Sequence, residues 1–176
     1  MKRFILLLRA VNVGSTRKLE MKPLREAAHA NGFPDLVTYI QSGNLIFSAT
    51  GDEPRVEAQI EALIDREFGL KAIAIARTAE HFERIGAANP FPDAIPKMLH
   101  LCVTKHPAKP DSASLLIDRA RNEERIALAG GEVWIDFAGG VGPSKLTPSV
   151  IDKAAGSTAT ARNWNTVQKL IELAKD

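Results

Sequence analysis

The chain has 176 residues, of which 45% are hydrophobic and 25% are charged, with 23 Lys and Arg against 21 Asp and Glu. A chain of this length buries about 70% of its unfolded surface, so it needs neither a disulfide nor a metal in order to fold. The formal net charge of +2 does not indicate nucleic-acid binding, which usually needs a clustered basic surface, although it does not exclude it. The single cysteine, Cys102, excludes an internal disulfide and is typical of the reducing cytoplasm.

The first residues place two basic side chains ahead of an apolar run, as an export signal does. Arg9 ends that run after Phe4 to Leu8, which is shorter than the ~7 to 15 apolar residues of a signal peptide. No stretch of the sequence approaches the ~20 apolar residues of a membrane span. We therefore expect a cytoplasmic protein with no membrane partner.

The first half of the chain predicts the order strand, helix, hairpin, helix, strand. The apolar run from Arg3 to Leu8 is typical of a central strand covered on both faces. Apolar residues at helical spacing begin at Met21, with Pro23 in the first turn and Gly32 as a left-handed cap. The remaining elements are a hairpin of Leu36–Ile40 and Leu45–Phe47 around Ser42-Gly43, a helix with Val56, Ile60, Leu63, Ile64 and Phe68 on one face that ends at Gly69, and a strand over Ala72–Ala76.

This order of elements is the split βαβ, or ferredoxin-like, arrangement. A right-handed crossover makes the first two strands parallel and leaves the third strand between them. The end of the first strand, the start of the first helix and the tip of the hairpin then share one edge of the sheet. We therefore expect Arg9, Asn12, Gln41, Ser42 and Asn44 to be neighbours.

The second half repeats the element order of the first half without repeating its residues. Its predicted elements are a helix over Glu80–Ala88, a Pro-rich bridge Asn89–Pro96, a strand Met98–Val103, a helix Ser112–Ala120, a hairpin Arg125–Phe137 turning at Gly130-Gly131, a helix from Thr147-Pro148 to near Gly156, and a last helix from about Thr160. The sequence thus predicts an α+β fold with two ferredoxin-like units in tandem, mainly antiparallel sheets and a C-terminal helix. We expect the units to span residues 1–78 and 79–176.

Five motifs occur in an order that resembles a known family. They are LLRAVNVGS (7–15), TYIQSGNLIF (38–47), NPFP (89–92), GVGPSKL (140–146) and TARNWNTV (160–167). Together they resemble the signatures of domain-of-unknown-function family 1697. The resemblance implies a small, mostly bacterial kind of protein with two joined α+β units and no established activity.

The two N-terminal motifs predict a polar binding site. Arg9, Asn12 and the backbone around Gly14 would hold an anion at the positive end of the first helix. The amide and hydroxyl groups of Gln41, Ser42 and Asn44 would add donors from the hairpin. The alternative is purely structural: a salt bridge for the arginine, an Asx turn for the first asparagine, and an ordinary hairpin turn.

Two C-terminal segments supply further candidates. In the helix predicted from about Thr160, one face carries four polar side chains, those of Arg162, Asn165, Thr166 and Lys169. Asn163 lies at the boundary of this face. Asn and Thr each cost roughly half a kcal/mol in a helix interior, which predicts specific hydrogen bonds to a ligand or to another part of the protein.

The glycine-rich segment Gly139–Lys145 follows a predicted strand, as a phosphate-binding loop does. It fails the nucleotide-binding motif, because Ser144 precedes Lys145 and Pro143 lacks an amide donor. An anion nest that uses Ser144 and Lys145, or a simple turn, remain as interpretations.

Recognisable catalytic classes find no support in the sequence. The four histidines are scattered, so we predict no metal site, and no motif indicates a cofactor. Cys102 lies inside an apolar strand and is expected to be a buried filler. Trp134 and Phe137 are expected to pack in the core rather than to stack on bases.

Three functions remain, and the first is favoured. It is the non-catalytic binding of a small anionic or nucleotide-like ligand by the strand-end loops. The alternative is a nucleic-acid or protein interaction module. The third is an enzyme of unknown reaction whose substrate or bound water supplies the chemistry, since the sequence contains no identifiable base or nucleophile. The oligomeric state is not predicted.

Overall fold

The computed structural model describes residues 1–9 and 18–175, and within them the protein has an α+β fold with two four-stranded antiparallel sheets. The elements are β1 (Lys2–Arg9), α1 (Met21–Ala30), β2 (Val37–Tyr39), β3 (Asn44–Ala49), α2 (Glu53–Phe68), β4 (Ile73–Thr78), α3 (Ala79–Ala87), β5 (Leu99–Thr104), α4 (Ser112–Ile117), β6 (Arg125–Ala129), β7 (Glu132–Asp136), α5 (Pro148–Ala155), β8 (Ala159–Asn163) and α6 (Trp164–Leu173). The chain divides into two compact units, one of Met1–Phe82 together with the chain from Leu170, the other of Glu83–Lys169.

The first sheet has the strand order β2-β3-β1-β4. Since β3 pairs antiparallel with both β1 and β2, those two strands run parallel with β3 between them, as the split βαβ order predicts. The central strand β1 is covered on both faces, because the side chains from Phe4 to Leu8 are at most 1% exposed. This burial explains why β1 is uniformly apolar instead of alternating.

The second sheet has the equivalent order β6-β7-β5-β8. Each sheet also has an arginine on its edge strand that pairs with the neighbouring strand. Arg77 on β4 pairs with Ile5, and Arg162 on β8 pairs with Leu101. Each arginine donates to the carbonyl of the residue before it, at 2.7 Å for Arg77 and 2.9 Å for Arg162. The likeness between the halves therefore extends from element order to individual contacts. Cys102, Trp134 and Phe137 are buried as predicted.

The predicted helix from about Thr160 is wrong, because residues 159–163 form β8 and α6 begins at Trp164. Strand β8 pairs with β5, which supplies backbone hydrogen bonds that a helix there would have to make internally. The carboxamide of Asn163 accepts the Thr166 N–H at 3.0 Å and so marks the start of the helix. The apolar stripe from Trp164 onward is helical as predicted, but it does not extend back to residue 160.

Three glutamates of α2 hydrogen-bond to the edge strand β4. Glu53, Glu57 and Glu61 lie one helical turn apart and accept the backbone N–H groups of Thr78, Ala76 and Ala74 at 3.2, 2.8 and 2.8 Å. Among the strands that the structure describes, β4 is the last of its sheet, so these N–H groups face no neighbouring strand on that side. The helix thus completes the hydrogen bonding of β4.

Candidate functional site

The end of β1 lies against the turn that joins β2 to β3. The Leu8 N–H donates to the Gly43 carbonyl at 2.7 Å, which places Arg9 beside the turn of residues 40–43. Arg9, Gln41, Ser42 and Asn44 therefore gather at one edge of the first sheet. Asn12 and Gly14, the other residues predicted for this site, lie outside the described residues.

The strand register places Arg9, Asn44 and Ile73 on one face of the sheet. Leu7 pairs with Asn44 and Arg9 pairs with Ile73, and residues two apart on a strand share a face. Arg9 is half-buried, whereas 40% of Ile73 is exposed. Arg9 thus lies on the same face of the sheet as Asn44 and the exposed Ile73.

The turn contains a strained residue. Ile40 has a φ of 52°, in the left-handed region that a β-branched side chain adopts only at a cost of about 1–2 kcal/mol. Its side chain is 49% exposed, so burial does not explain this conformation. Strain of this kind is concentrated at binding and catalytic sites, where the surrounding structure enforces it.

Asn44 is the residue that holds the turn. Its side chain is fully buried, and its Nδ2 donates to the Tyr39 carbonyl at 2.9 Å and to Ser42 Oγ at 3.0 Å. These bonds connect the end of β2 with the turn and with the start of β3. Asn44 thus acts on the site by positioning Ser42, while Gln41 is exposed at the tip.

The first helix contributes less to an anion site than the sequence predicts. Helix α1 begins at Met21 as expected, but Glu20 occupies its N-cap and makes no capping hydrogen bond with its side chain. An anion at this helix end would therefore lie beside a carboxylate, which offsets the attraction of the helix dipole. The arginine and the hairpin remain as the described groups that favour an anion.

The glycine-rich loop is anchored by an acidic residue. Glu124 accepts hydrogen bonds from Ser144 Oγ and from the Asn122 N–H. Burial raises the pKa of Glu124, but these hydrogen bonds outweigh burial and hold the pKa below its usual value. Ser144 also accepts the Leu146 N–H at 3.1 Å. Ser144 is thus an internal anchor, and the neighbouring Lys145 is exposed.

Arg162 does not share a helical face with Asn165, contrary to the sequence prediction. It lies on β8, is 9% exposed, and donates to Thr160 Oγ1 at 2.8 Å and to the Ala161 carbonyl at 2.9 Å. Burial lowers the pKa of Arg162 to about 10. Asn165 is exposed on α6, and Thr166 is buried. Together with the capping role of Asn163, these positions give the motif a structural role.

The NPFP motif also has a structural explanation. The Phe91 N–H donates to Asn89 Oδ1 at 2.8 Å, and the Arg125 guanidinium carbon lies 4.9 Å from the centre of the Phe91 ring. Arg125 also joins Asp93 and Asp136 at 2.9 and 2.8 Å. No pattern of spacing in the sequence relates Arg125 to these partners.

The described residues contain neither a candidate metal-binding cluster nor a reactive thiol. Within residues 1–9 and 18–175, no group of three His, Cys, Asp or Glu side chains is arranged to hold a metal ion. Burial, followed by the charges of Glu132 and Asp152, raises the pKa of Cys102 to about 12, so its thiol is not a nucleophile. In the same described segments, every helix is too short or too polar to cross a bilayer.

Comparison with known proteins identifies a family and a fold. A family model described as "Protein of unknown function (DUF1697)" matches residues 1–134. The structure of a conserved bacterial protein from Streptococcus pneumoniae superposes with a TM-score of 0.71 at 18% identity, and the match covers 98% of each chain. At this identity the likeness concerns the fold alone. Comparison with curated proteins gives no match.

Proposed function

The chain belongs to the DUF1697 family of proteins of unknown function, and we propose that it binds a small anionic or nucleotide-like ligand without transforming it. The binding site is the edge of the first sheet where β1 ends and the turn between β2 and β3 lies. Arg9 supplies the charge for the anionic group, and the Gln41 and Ser42 side chains supply neutral hydrogen bonds. The single buried cysteine fits a cytoplasmic location for this activity.

The observation that carries the proposal is the strained, exposed Ile40 in a turn beside Arg9. A β-branched residue at a φ of 52° is costly, yet the buried Asn44 side chain fixes the turn around it. A turn without a function would be more stable with glycine or asparagine at this position. The retained strain is explained if the turn presents Gln41 and Ser42 to a ligand.

The side chains at this edge of the sheet are better suited to binding a ligand than to catalysis. Guanidinium, carboxamide and hydroxyl groups bind anions well, but at neutral pH they are poor general bases. No histidine or carboxylate is among the described residues that we assign to the site. A site of this composition can select and hold a ligand with no proton transfer.

The test is a screen for ligands by thermal shift, followed by calorimetric titration. The compounds are inorganic phosphate, pyrophosphate, and adenine and guanine mono- and diphosphates. We expect at least one to raise the melting temperature of the protein. Arg9→Ala should then weaken its binding about 10- to 100-fold, because a charged hydrogen bond contributes about 1.5–3 kcal/mol. Arg9→Lys should be intermediate.

The exposed Arg55 in the first turn of α2 provides the matched control, since α2 follows the opposite end of β3 and Arg55→Ala removes the same charge away from the site. Unchanged affinity in Arg9→Ala would contradict the proposal, as would the absence of any stabilising compound. Conversion of a compound to product would show an enzyme instead. Binding of an oligonucleotide that weakens steeply with salt would indicate a nucleic-acid module.

A further inference from the structure

A cleft of about 450 Å³ lies in the first unit, away from the edge that carries Arg9. It is bordered by the C-terminal end of α1, the last residues of β3 and one side of α2. The Arg9 site lies at the first residue of β3, whereas the cleft lies at the last. The two sites are therefore at opposite ends of that strand, and the cleft volume falls in the range typical of small-molecule sites.

The floor of the cleft is apolar. Phe33, Ala49 and Leu63 line it, and each is less than 10% exposed. Phe33 is held edge-on against Phe47, with 5.1 Å between the ring centroids. The Cβ position of Gly32 faces open space, so Gly32 itself leaves the floor accessible. The floor can accept a flat or branched apolar group of a ligand.

One cation is fixed at the rim. Arg66 Nη2 donates to Asn31 Oδ1 at 2.8 Å, and Asn31 is itself anchored through its Nδ2 to the Ala27 carbonyl at 2.8 Å. Arg66 Nε donates to the neighbouring Glu67 at 2.8 Å. Arg66 Nη1 makes no hydrogen bond within residues 1–9 and 18–175. The guanidinium is thus oriented by two partners and retains donors for a third.

The α2 helix presents these groups as one stripe. Gln59, Ala62 and Arg66 line the cleft from successive turns of α2, at spacings of three and four residues that share a helical face. Ala62 is exposed and small, which leaves room between the rim and the floor. A larger side chain at this position would fill that room.

We propose that this cleft is a second binding site, which takes a small carboxylate with an aromatic or branched apolar body. The carboxylate contacts Arg66 Nη1, with Gln59 as a neutral donor beside it, and the apolar body covers Phe33 and Leu63. A guanidinium pairs well with carboxylates, and the apolar floor adds affinity that a bare anion cannot obtain. The site does not depend on Arg9 or on the ligand bound there.

The test uses 3-phenylpropionate as the probe, followed through the backbone amide signals in ¹H–¹⁵N NMR spectra of the whole chain. Acetate carries only the anion, and 3-phenylpropanol carries only the apolar body. We expect 3-phenylpropionate to shift the amide signals of Gly32, Thr50 and Ala62, and to bind about tenfold more tightly than either fragment. Arg66→Gln should reduce its affinity about tenfold by removing the charge.

Two substitutions on α2 separate occupation of the cleft from a general effect on the helix. Ala62→Trp should abolish binding by filling the cleft. Ala58→Trp places the same side chain one turn earlier, at an exposed position outside the cleft, and should leave binding unchanged. Arg55→Gln is the corresponding control for charge. The proposal is overturned if 3-phenylpropanol binds as tightly as the acid, or if the Ala62→Trp variant still binds the acid. It is also overturned if no amide signal at the cleft shifts at a probe concentration of about 10 mM, which corresponds to about the weakest dissociation constant of interest.

Discussion

At the scale of single residues, Ile40 and Arg162 show what the sequence could and could not predict. Both lie in motifs that the sequence marks as informative, but their conformations depend on partners distant in the chain. The motif TYIQSGNLIF predicts a hairpin, yet the left-handed conformation of Ile40 follows from the bonds that Asn44 makes across the turn. Arg162 becomes buried because β8 pairs with β5, and spacing within the motif does not encode that pairing.

Ile40 gives a prediction about stability. The free energy of unfolding should be about 1 kcal/mol higher for Ile40→Gly than for Ile40→Ala, because a positive φ is unfavourable for alanine but not for glycine. Both variants lose the branched part of the side chain and differ only in one methyl group, so their difference mainly reports the backbone conformation. Urea denaturation followed by circular dichroism measures it.

Val37 is the control for this comparison, because it is similarly exposed on β2 but lies in extended backbone. There the order should reverse, with Val37→Ala about 0.5–1 kcal/mol more stable than Val37→Gly. If alanine were also the more stable residue at position 40, the turn would not be strained in solution.

At the scale of elements, helix ends were predictable where the capping residue is local. Gly69 and Gly156 adopt positive φ at the ends of α2 and α5, and Thr147 caps α5 as expected. The start of α6 was not predictable in the same way. The sequence places Asn163 at the boundary of a helical face, whereas its side chain caps α6. The residues before it, Ala161 and Arg162, are compatible with helical spacing as well as with a strand.

The contact between α2 and β4 gives a prediction at this scale. Glu57→Ala should lower the free energy of unfolding by about 1–3 kcal/mol, because it leaves the buried Ala76 N–H without its acceptor. Glu57→Gln retains a carbonyl oxygen in the same place and should lower it less. Denaturation of the two variants in parallel checks the order, and equal losses would mean that the contact is not needed.

At the scale of the whole molecule, the α+β class and the position of β3 between the parallel strands β1 and β2 follow from the sequence, because connection rules leave few arrangements for strand, helix, hairpin, helix and strand. The order of the second sheet does not follow in the same way, since the sequence predicts a helix where β8 lies. The family membership was likewise predictable from ordered motifs. The cleft beside Arg66 was not, because it is formed by three elements whose lining residues are far apart in sequence and carry no common pattern.

The stability of the whole fold should depend on pH through His100. Burial lowers the pKa of His100 below its usual value of 6.5 in the folded state, against a weaker opposite effect of the Met98 carbonyl. The unfolded chain therefore binds this proton more readily, so stability is complete above about pH 6.5 and is lost as the pH falls through that value.

His100→Gln should remove this loss, and urea denaturation at pH 7.5, about 6.5 and 5.5 measures the difference between the variant and the natural chain. At lower pH both proteins should weaken further, because the pKa of Asp35 and that of Glu124 are held below their usual values in the fold. An identical slope in both proteins between pH 7.5 and about 5.5 would assign the loss to other groups.

The glutamates of α2 also affect whether molecules of this protein can associate through the edge strand β4 in a concentrated solution. A strand at the border of a sheet normally offers its amides as a template on which another chain can add, and fibrils grow by repeating that addition. At β4 the amides of Ala74, Ala76 and Thr78 already have carboxylate acceptors. This border of the first sheet is consequently closed to cross-β aggregation for as long as the helix stays folded.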